Sequence, residues 1–332
     1  MRPRSHLLTT LFVAGAVLLA PAAATAQVPT TPAAPAPQKV KLSARVERVS
    51  SLGYRLIALQ GQRIKVRVVA SPLVAGEAVT IRVAGAGGRL LTFHRTLRKV
   101  SGHGEATVDG LRASTLGTVK VTVTHAGTAN ATASTATARS VYVIQPVAGG
   151  GANGLRVLFL QSKLSQLGYL VNVNGYYDES TQRAVIAFRK TNRLERITNA
   201  SMTVYSMLAR GDGAYRVVHP DDGRHVEADL SRQILVLINP GGRVYRIIHM
   251  SSGASGTPTV RGGFRFYSKD WGTNAKGMVD SSYFIGGFAI HGYHDVPTYN
   301  ASHGCLRIPI PNASFVFHWI RLGMKIDVYG HA

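Results

Sequence analysis

The sequence has 332 residues, is 45% hydrophobic and carries a formal net charge of +22, so it holds ample apolar material for cores and presents a surface that attracts polyanions. A single cysteine, Cys305, excludes any intramolecular disulfide. Past the N-terminal segment no run approaches the about 18 uninterrupted apolar residues of a spanning helix.

Residues 1–26 open on Arg2 and Arg4, continue through the apolar run Leu7 to Ala20 and close on Ala24-Thr25-Ala26. A charged start, an apolar middle and an Ala-x-Ala site predict a secretory signal peptide cut before Gln27. The mature chain is therefore expected outside the cytoplasm, in the periplasm or cell wall, with no membrane span. Polyanions there are wall polymers and anionic head groups, and the absence of a nucleic-acid-binding motif argues against nucleic acid as a partner. Residues 27–38, rich in Pro, Ala and Thr, read as an extended linker.

Over residues 39–146 the pattern alternates with period two. Ile64, Val66 and Val68 face one way while Lys65 and Arg67 face the other, and the same holds for Val79, Ile81 and Val83, for Val119, Val121 and Val123, and for Val141 and Val143. Short alternating strands with glycine-rich turns predict an Ig-like β-sandwich in architecture, with a spacer role. The Ala/Thr-rich stretch from Ala126 to Ala138 reads either as a weak edge strand or as a loop.

Residues 147–154 form a glycine-rich linker, after which the period becomes helical. Val157, Leu160, Leu164 and Leu167 are spaced for one face, with Gly168 as the stop; Asp178 is placed as an N-cap ahead of Ala184, Val185 and Phe188; a third helix is expected from Ser201 to Ala209, ending at Gly211. Three short helices over residues 155–211 predict a small bundle. Leu160-Gln161, Leu167-Gly168-Tyr169, Asn174-Gly175-Tyr176, Thr181, Ala184-Val185 and Phe188 resemble the peptidoglycan-binding domain often fused to wall enzymes, with Asp178 standing where a glycine is common and Arg189 where a glutamine is common. A bundle that only positions its neighbour is the plainer alternative.

Residues 215–330 read as a mostly β domain. Gln233 to Asn239 and Arg243 to Met250 form a hairpin about Pro240-Gly241-Gly242; Gly263 to Ser268, Phe288 to His291 and Met324 to Tyr329 add strands. Asn312 is expected to cap a helix through Phe315, Trp319 and Ile320, stopped by Gly323. The segment between Tyr267 and Phe284 is expected to be an irregular, mobile lid, or else to pack its aromatic residues on the domain surface.

Chemistry gathers around Cys305. A thiol must be deprotonated to attack a carbonyl, which calls for a neighbouring base. If the segment from Ser302 to Arg307 is extended, His303 lies roughly 6 to 7 Å from Cys305 by strand geometry, beyond the about 3 Å of direct proton transfer. His291, brought in by the intervening loop, is the better base, and Gly304 lets the backbone turn its N–H groups toward an oxyanion.

The run from Ser251-Ser252-Gly253 through Thr257-Pro258-Thr259, then His291-Gly292, then Ser302-His303-Gly304-Cys305-Leu306-Arg307, resembles the L,D-transpeptidases of the YkuD family over about residues 225–330. The resemblance implies a cysteine acyltransferase of cell-wall biogenesis and cell shape, needing no cofactor and no metal. It maps the nucleophile onto Cys305, the general base onto His291 and a base-orienting carbonyl onto Gly292. Gly304 is assigned to the oxyanion site, and Ser302, His303 and Arg307 to substrate binding. The implied reaction joins peptidoglycan stem peptides through a thioester, releasing D-alanine from a tetrapeptide donor. An L,D-carboxypeptidase using the same site and a non-catalytic wall-binding protein remain as alternatives. A zinc site built from His291, His294, His303 and Cys305 is a third.

Overall fold

The computed structural model describes residues 35–331 apart from 74–75. The expected signal peptide over 1–26 and most of the 27–38 linker lie outside the described residues.

The alternation in the first third folds as strands β1 (Lys41–Glu47), β2 (Ser50–Leu52), β3 (Arg55–Leu59), β4 (Arg63–Ser71), β5 (Ala78–Ala84), β6 (Leu90–Thr96), β7 (Arg98–Val100), β8 (His103–Arg112), β9 (Gly117–His125), β10 (Ser134–Thr137) and β11 (Val141–Ile144). They form two sheets, one in the order β1-β4-β8-β7 and the other β2-β3-β11-β9-β5-β6, with β10 on β9. Val66 and Val68 of the first sheet and Ile81 and Val121 of the second are fully buried in one shared core. Lys65 and Arg67 point outward, as a pleated strand with one buried face requires. The Ala/Thr-rich stretch does both things expected of it: Ser134–Thr137 pairs with β9 alone, and the residues before it are a loop.

Helices α1 (Leu155–Gln166), α2 (Glu179–Thr191) and α3 (Met202–Arg210) follow. Asp178 caps α2, accepting the Thr181 N–H at 2.8 Å, and Gly211 closes α3 at φ +81°. Arg189, the unusual residue for such a bundle, lies buried in α2 and donates to the carbonyls of Asn199 and Glu195, tying the segment after α2 back onto the helix. The bundle does not close its core on itself. Val157, Phe159, Val185 and Phe188 share one cluster with Ile57 and Ile144 of the N-terminal sheets and with Ile234, Val236 and Ile247 of the C-terminal region.

That region contains β12 (His225–Asp229), β13 (Ile234–Asn239), β14 (Arg243–His249), β15 (Gly262–Arg265), β16 (Ser268–Thr273), β17 (Val279–Ile285), β18 (Phe288–Tyr293), β19 (Leu306–Pro309), α4 (Ile310–Trp319) and β20 (Lys325–Tyr329). One sheet runs β14-β13-β12-β20-β15 and the other β16-β17-β18-β19. Val226, Leu237 and Ile326 from the first meet Ile290, Leu306 and Ile308 from the second in a common core, with Val316 and Trp319 of α4 against it.

Three sequence expectations need correction here. The strand expected over Gly263 to Ser268 is split: β15 ends at Arg265, buried Phe266 follows, and β16 starts at Ser268 in the other sheet. The segment expected to be an irregular lid is an antiparallel hairpin, β16 against β17, with a register shift between Asp270 and Thr273, turning through residues 274–278. Asn312 is not a cap, because Pro309 and Pro311 bracket the start of α4 directly off β19, which places buried Asn312 within the first turn; the helix ends at Trp319, ahead of Gly323.

Candidate active site

Strands β18 and β19 run parallel with His291 opposite Arg307 and Ile290 opposite Leu306. Apolar Ile290, Leu306 and Ile308 fill the core, which fixes the register and sets His291 and Arg307 side by side on adjacent strands. The loop between them, residues 294–305, returns the chain so that Cys305 immediately precedes β19.

The cysteine loop is held by a cradle over residues 251–259. Ser251 N–H donates to Arg307 O and receives a bond at its own carbonyl from Arg307 N–H, both at 2.9 Å. Ser302 N–H donates to Ser252 O at 2.9 Å, and Thr257 Oγ1 donates to Ser302 O at 2.8 Å. Thr259 Oγ1 accepts the Gly253 N–H at 2.9 Å and donates to Gly304 O at 2.7 Å. The cradle and the loop touch backbone to backbone: a Cβ on Gly253 would lie 2.1 Å from Thr257 O and 2.9 Å from Gly304 Cα. Gly304 itself sits at φ +112°, and a Cβ there would fall 2.3 Å from the Phe288 ring. Both positions demand glycine for space, and Gly304 for conformation as well.

Residues 303–305 bend rather than extend, so the conditional strand geometry for His303 does not apply. His303 is exposed at the rim with its ring free of protein hydrogen bonds among the described residues. Ser302, expected to bind substrate, is buried and its hydroxyl is engaged within the loop, donating to Cys305 O at 2.6 Å and accepting the Gly304 N–H at 3.1 Å. The Gly304 N–H, assigned above to the oxyanion site, is held by Ser302 Oγ in this structure. The Cys305 N–H has no such partner among the described residues.

His291 is buried, and its Nδ1 lies 2.9 Å from Gly292 O. A carbonyl can only accept, so Nδ1 carries the proton and Nε2 is left as the acceptor. Gly292 is fixed there by α4, because a Cβ would come within 2.7 Å of Ala313 Cβ. Burial lowers the His291 pKa below its ordinary value; the Gly292 contact opposes this and Arg307 adds to it. Cys305 Sγ, half-buried, lies 3.6 Å from Gly287 O. Burial raises its pKa, opposed by an Ala289 backbone contact and by the charges of Lys276 and Arg307. Both shifts favour a neutral thiol and a neutral imidazole over a resting ion pair.

His291, Ser302, His303, Cys305 and Arg307 line one pocket of about 330 Å³. Arg307 is largely buried and lies 4.3 Å above the Tyr293 ring, with Asp295 3.9 Å away. Four further residues complete the wall: Lys276 and Met278 from the β16–β17 turn, Gly287, and Tyr293. They were missed because no local pattern marks them; only the β17–β18 pairing, with Val279 opposite Gly292, carries that turn to the cysteine. The four residues of the zinc alternative do not come together as a ligand set. Among the described residues, the group with ligand atoms within 4.8 Å of one another is His219, Asp222 and Asp327, none of which lines this pocket. There, Lys325 Nζ already sits 2.5 Å from Asp222 and 3.1 Å from Asp327.

Residues 223–328 match the L,D-transpeptidase catalytic domain (YkuD) family, and residues 153–198 match the peptidoglycan binding domain family. The chain is also similar to the crystal structure of an L,D-transpeptidase from Xylanimonas cellulosilytica, at 34% identity over 56% of this chain and 98% of that one, with a TM-score of 0.51. The chain belongs to the L,D-transpeptidase family. An L,D-transpeptidase from Stackebrandtia nassauensis aligns at 18% identity over 55% of this chain and 95% of that one, TM-score 0.36. One from Mycobacterium smegmatis aligns at 14% over 87% and 100%, TM-score 0.29. No curated protein matches the sequence. As an L,D-transpeptidase with a preceding peptidoglycan-binding domain, the chain acts on cell-wall material, and no helix among its described residues is long and apolar enough to cross a membrane.

Proposed function

We propose that this L,D-transpeptidase cross-links peptidoglycan stems through a thioester on Cys305. His291 Nε2 takes the thiol proton as Sγ attacks the carbonyl of the third residue of a tetrapeptide stem. The Cys305 N–H receives the developing oxyanion, a donor typically worth about 3 to 4 kcal/mol; Gly304 adds its own N–H only by releasing Ser302 Oγ. Collapse breaks the amide bond, and the imidazolium gives its proton to the departing amine of D-alanine. The amine of a second stem's diamino acid then attacks the thioester, passes a proton to His291 and restores the thiol through the same base. Arg307 and exposed His303 are assigned to the substrate's carboxylate, a task for which the guanidinium fork suits Arg307.

The observation that carries this reading is the His291 Nδ1 contact with Gly292 O, which leaves Nε2 as a neutral acceptor in the pocket that holds Cys305. The lowered His291 pKa keeps the imidazole unprotonated, as a base must be. The reading also takes residues 39–146 as an Ig-like spacer, 155–211 as the wall-binding unit and 215–330 as the catalytic domain, working outside the cytoplasm after removal of residues 1–26.

The test is separation of products from a disaccharide tetrapeptide incubated with wild-type and Cys305→Ala protein. Cross-linked dimer and free D-alanine from the wild type alone support the reading. Shortened monomer without dimer makes the protein a carboxypeptidase, and equal products from both proteins remove Cys305 from the chemistry.

A further inference from the structure

A second cleft, of about 590 Å³, lies between the helical unit and the catalytic domain. One wall is α2, with Gln182, Arg183 and Ile186; the other is catalytic, with His294 and Ile310; Tyr293 lines both this cleft and the cysteine pocket. We infer that this composite cleft binds the saccharide end of the wall polymer, an N-acetylated disaccharide, while the attached stem peptide reaches Cys305 past Tyr293. The inference rests on the transpeptidase reading and adds a substrate site that neither unit contains alone.

The lining suits a sugar. Planar polar groups on α2, an amide and a guanidinium, meet hydroxyl and acetamido groups by hydrogen bonds, while exposed Ile310 offers apolar surface to a sugar ring face. The volume falls within the about 300 to 1,000 Å³ of ligand sites. Arg183 lines the cleft, and its one side-chain hydrogen bond among the described residues is a 3.3 Å contact with exposed Glu179.

The cleft is built rather than incidental, because its two walls are locked together. Lys190 of α2 is fully buried across the boundary, its Nζ 2.7 Å from His249 Nδ1, 2.9 Å from Met250 O and 3.2 Å from Gln233 O. His249, in the cleft wall, donates from Nε2 to Val296 O at 2.9 Å, and Arg196 donates to Thr298 O at 2.6 Å. These bonds hold the segment that leads from Tyr293 to the cysteine loop against the helical unit. A preorganised composite site loses little freedom on binding.

The experiment is calorimetric titration of full-length Cys305→Ala protein with a disaccharide tetrapeptide and with the free tetrapeptide, repeated after adding Gln182→Ala and Arg183→Ala. The expected result is binding of the disaccharide form at least tenfold tighter than the free peptide, with the two α2 substitutions abolishing that advantage and leaving free-peptide binding unchanged. Equal binding of the two ligands, or an advantage that survives both substitutions, overturns the cleft. Free-peptide binding also reports that the variants are folded. Acylation of wild-type Cys305 by the free tetrapeptide, measured alongside, reads the cysteine mechanism independently, so failure of one does not pass for failure of the other.

Discussion

Ser302 is the residue whose role changes most between sequence and structure. Read as a substrate contact, it is instead the pin of the cysteine loop, joined to Gly304 N–H and Cys305 O. Ser302→Ala should cost about 1 to 3 kcal/mol, the usual consequence of stranding buried polar partners, seen as a lower denaturant midpoint. Acylation should slow by at least about tenfold through a misplaced thiol. His291 makes a prediction about pH. Its lowered pKa means the base stays neutral as pH falls through the ordinary histidine range, so kcat/KM for acylation should hold its plateau at pH 6.5 and decline only below it. A midpoint at or above the ordinary value would mean that burial does not control this imidazole. Cys305, His291 and the glycines of the proposed site are legible because each is a local requirement of cysteine chemistry. The Ser302 hydroxyl contacts are not, because they depend on a bend at residues 303–305 that the sequence leaves open.

At the scale of elements, what the sequence displays is periodicity, and what it hides is pairing. The buried row Ile64, Val66 and Val68 on β4 follows from alternation alone. The hairpin β16–β17 did not, since Trp271, Gly272 and Gly277 interrupt the pattern. The structure resolves why: the pairing is irregular between Asp270 and Thr273, and Trp271 is largely exposed, so no clean alternation marks these strands. That hairpin delivers Lys276, whose charge draws the Cys305 thiol pKa down against the effect of burial. Lys276→Glu should raise that pKa further. Alkylation of Cys305 by iodoacetamide at pH 7.5, which follows the thiolate fraction, should then slow by about three- to tenfold, equivalent to half a unit to one unit. An unchanged rate would show that the turn does not act on the thiol.

At the scale of the molecule, the linear order of N-terminal β region, helical unit and C-terminal β region is legible from changes of period, but the continuity of the core across all three is not. Glycine-rich residues 147–154 read as a boundary, yet Ile57, Phe159 and Ile247 belong to one buried cluster. Lys190 is the extreme case, a lysine in a helix that reads as an ordinary surface residue until tertiary packing buries it. Burial, with Arg196 nearby, pushes its pKa down to about 6. A lysine so depressed binds fewer protons folded than unfolded between pH 6 and about 10.4, so its contribution to stability grows as pH rises through that window. Lys190→Met should leave the buried acceptors around Nζ without their donor, cost about 1 to 3 kcal/mol, and show a larger deficit at pH 9 than at pH 7 in denaturant titrations.

The central claim, that Cys305 carries the acyl group, is tested most directly by intact-mass spectrometry of the protein after brief exposure to a tetrapeptide stem, with peptide mapping of any adduct. The account predicts a mass increase equal to the stem without D-alanine, lying on the peptide that contains Cys305, removed by hydroxylamine and absent from Cys305→Ala. Turnover of the stem with no adduct on that peptide under rapid quench, or an adduct that persists in Cys305→Ala, would contradict it.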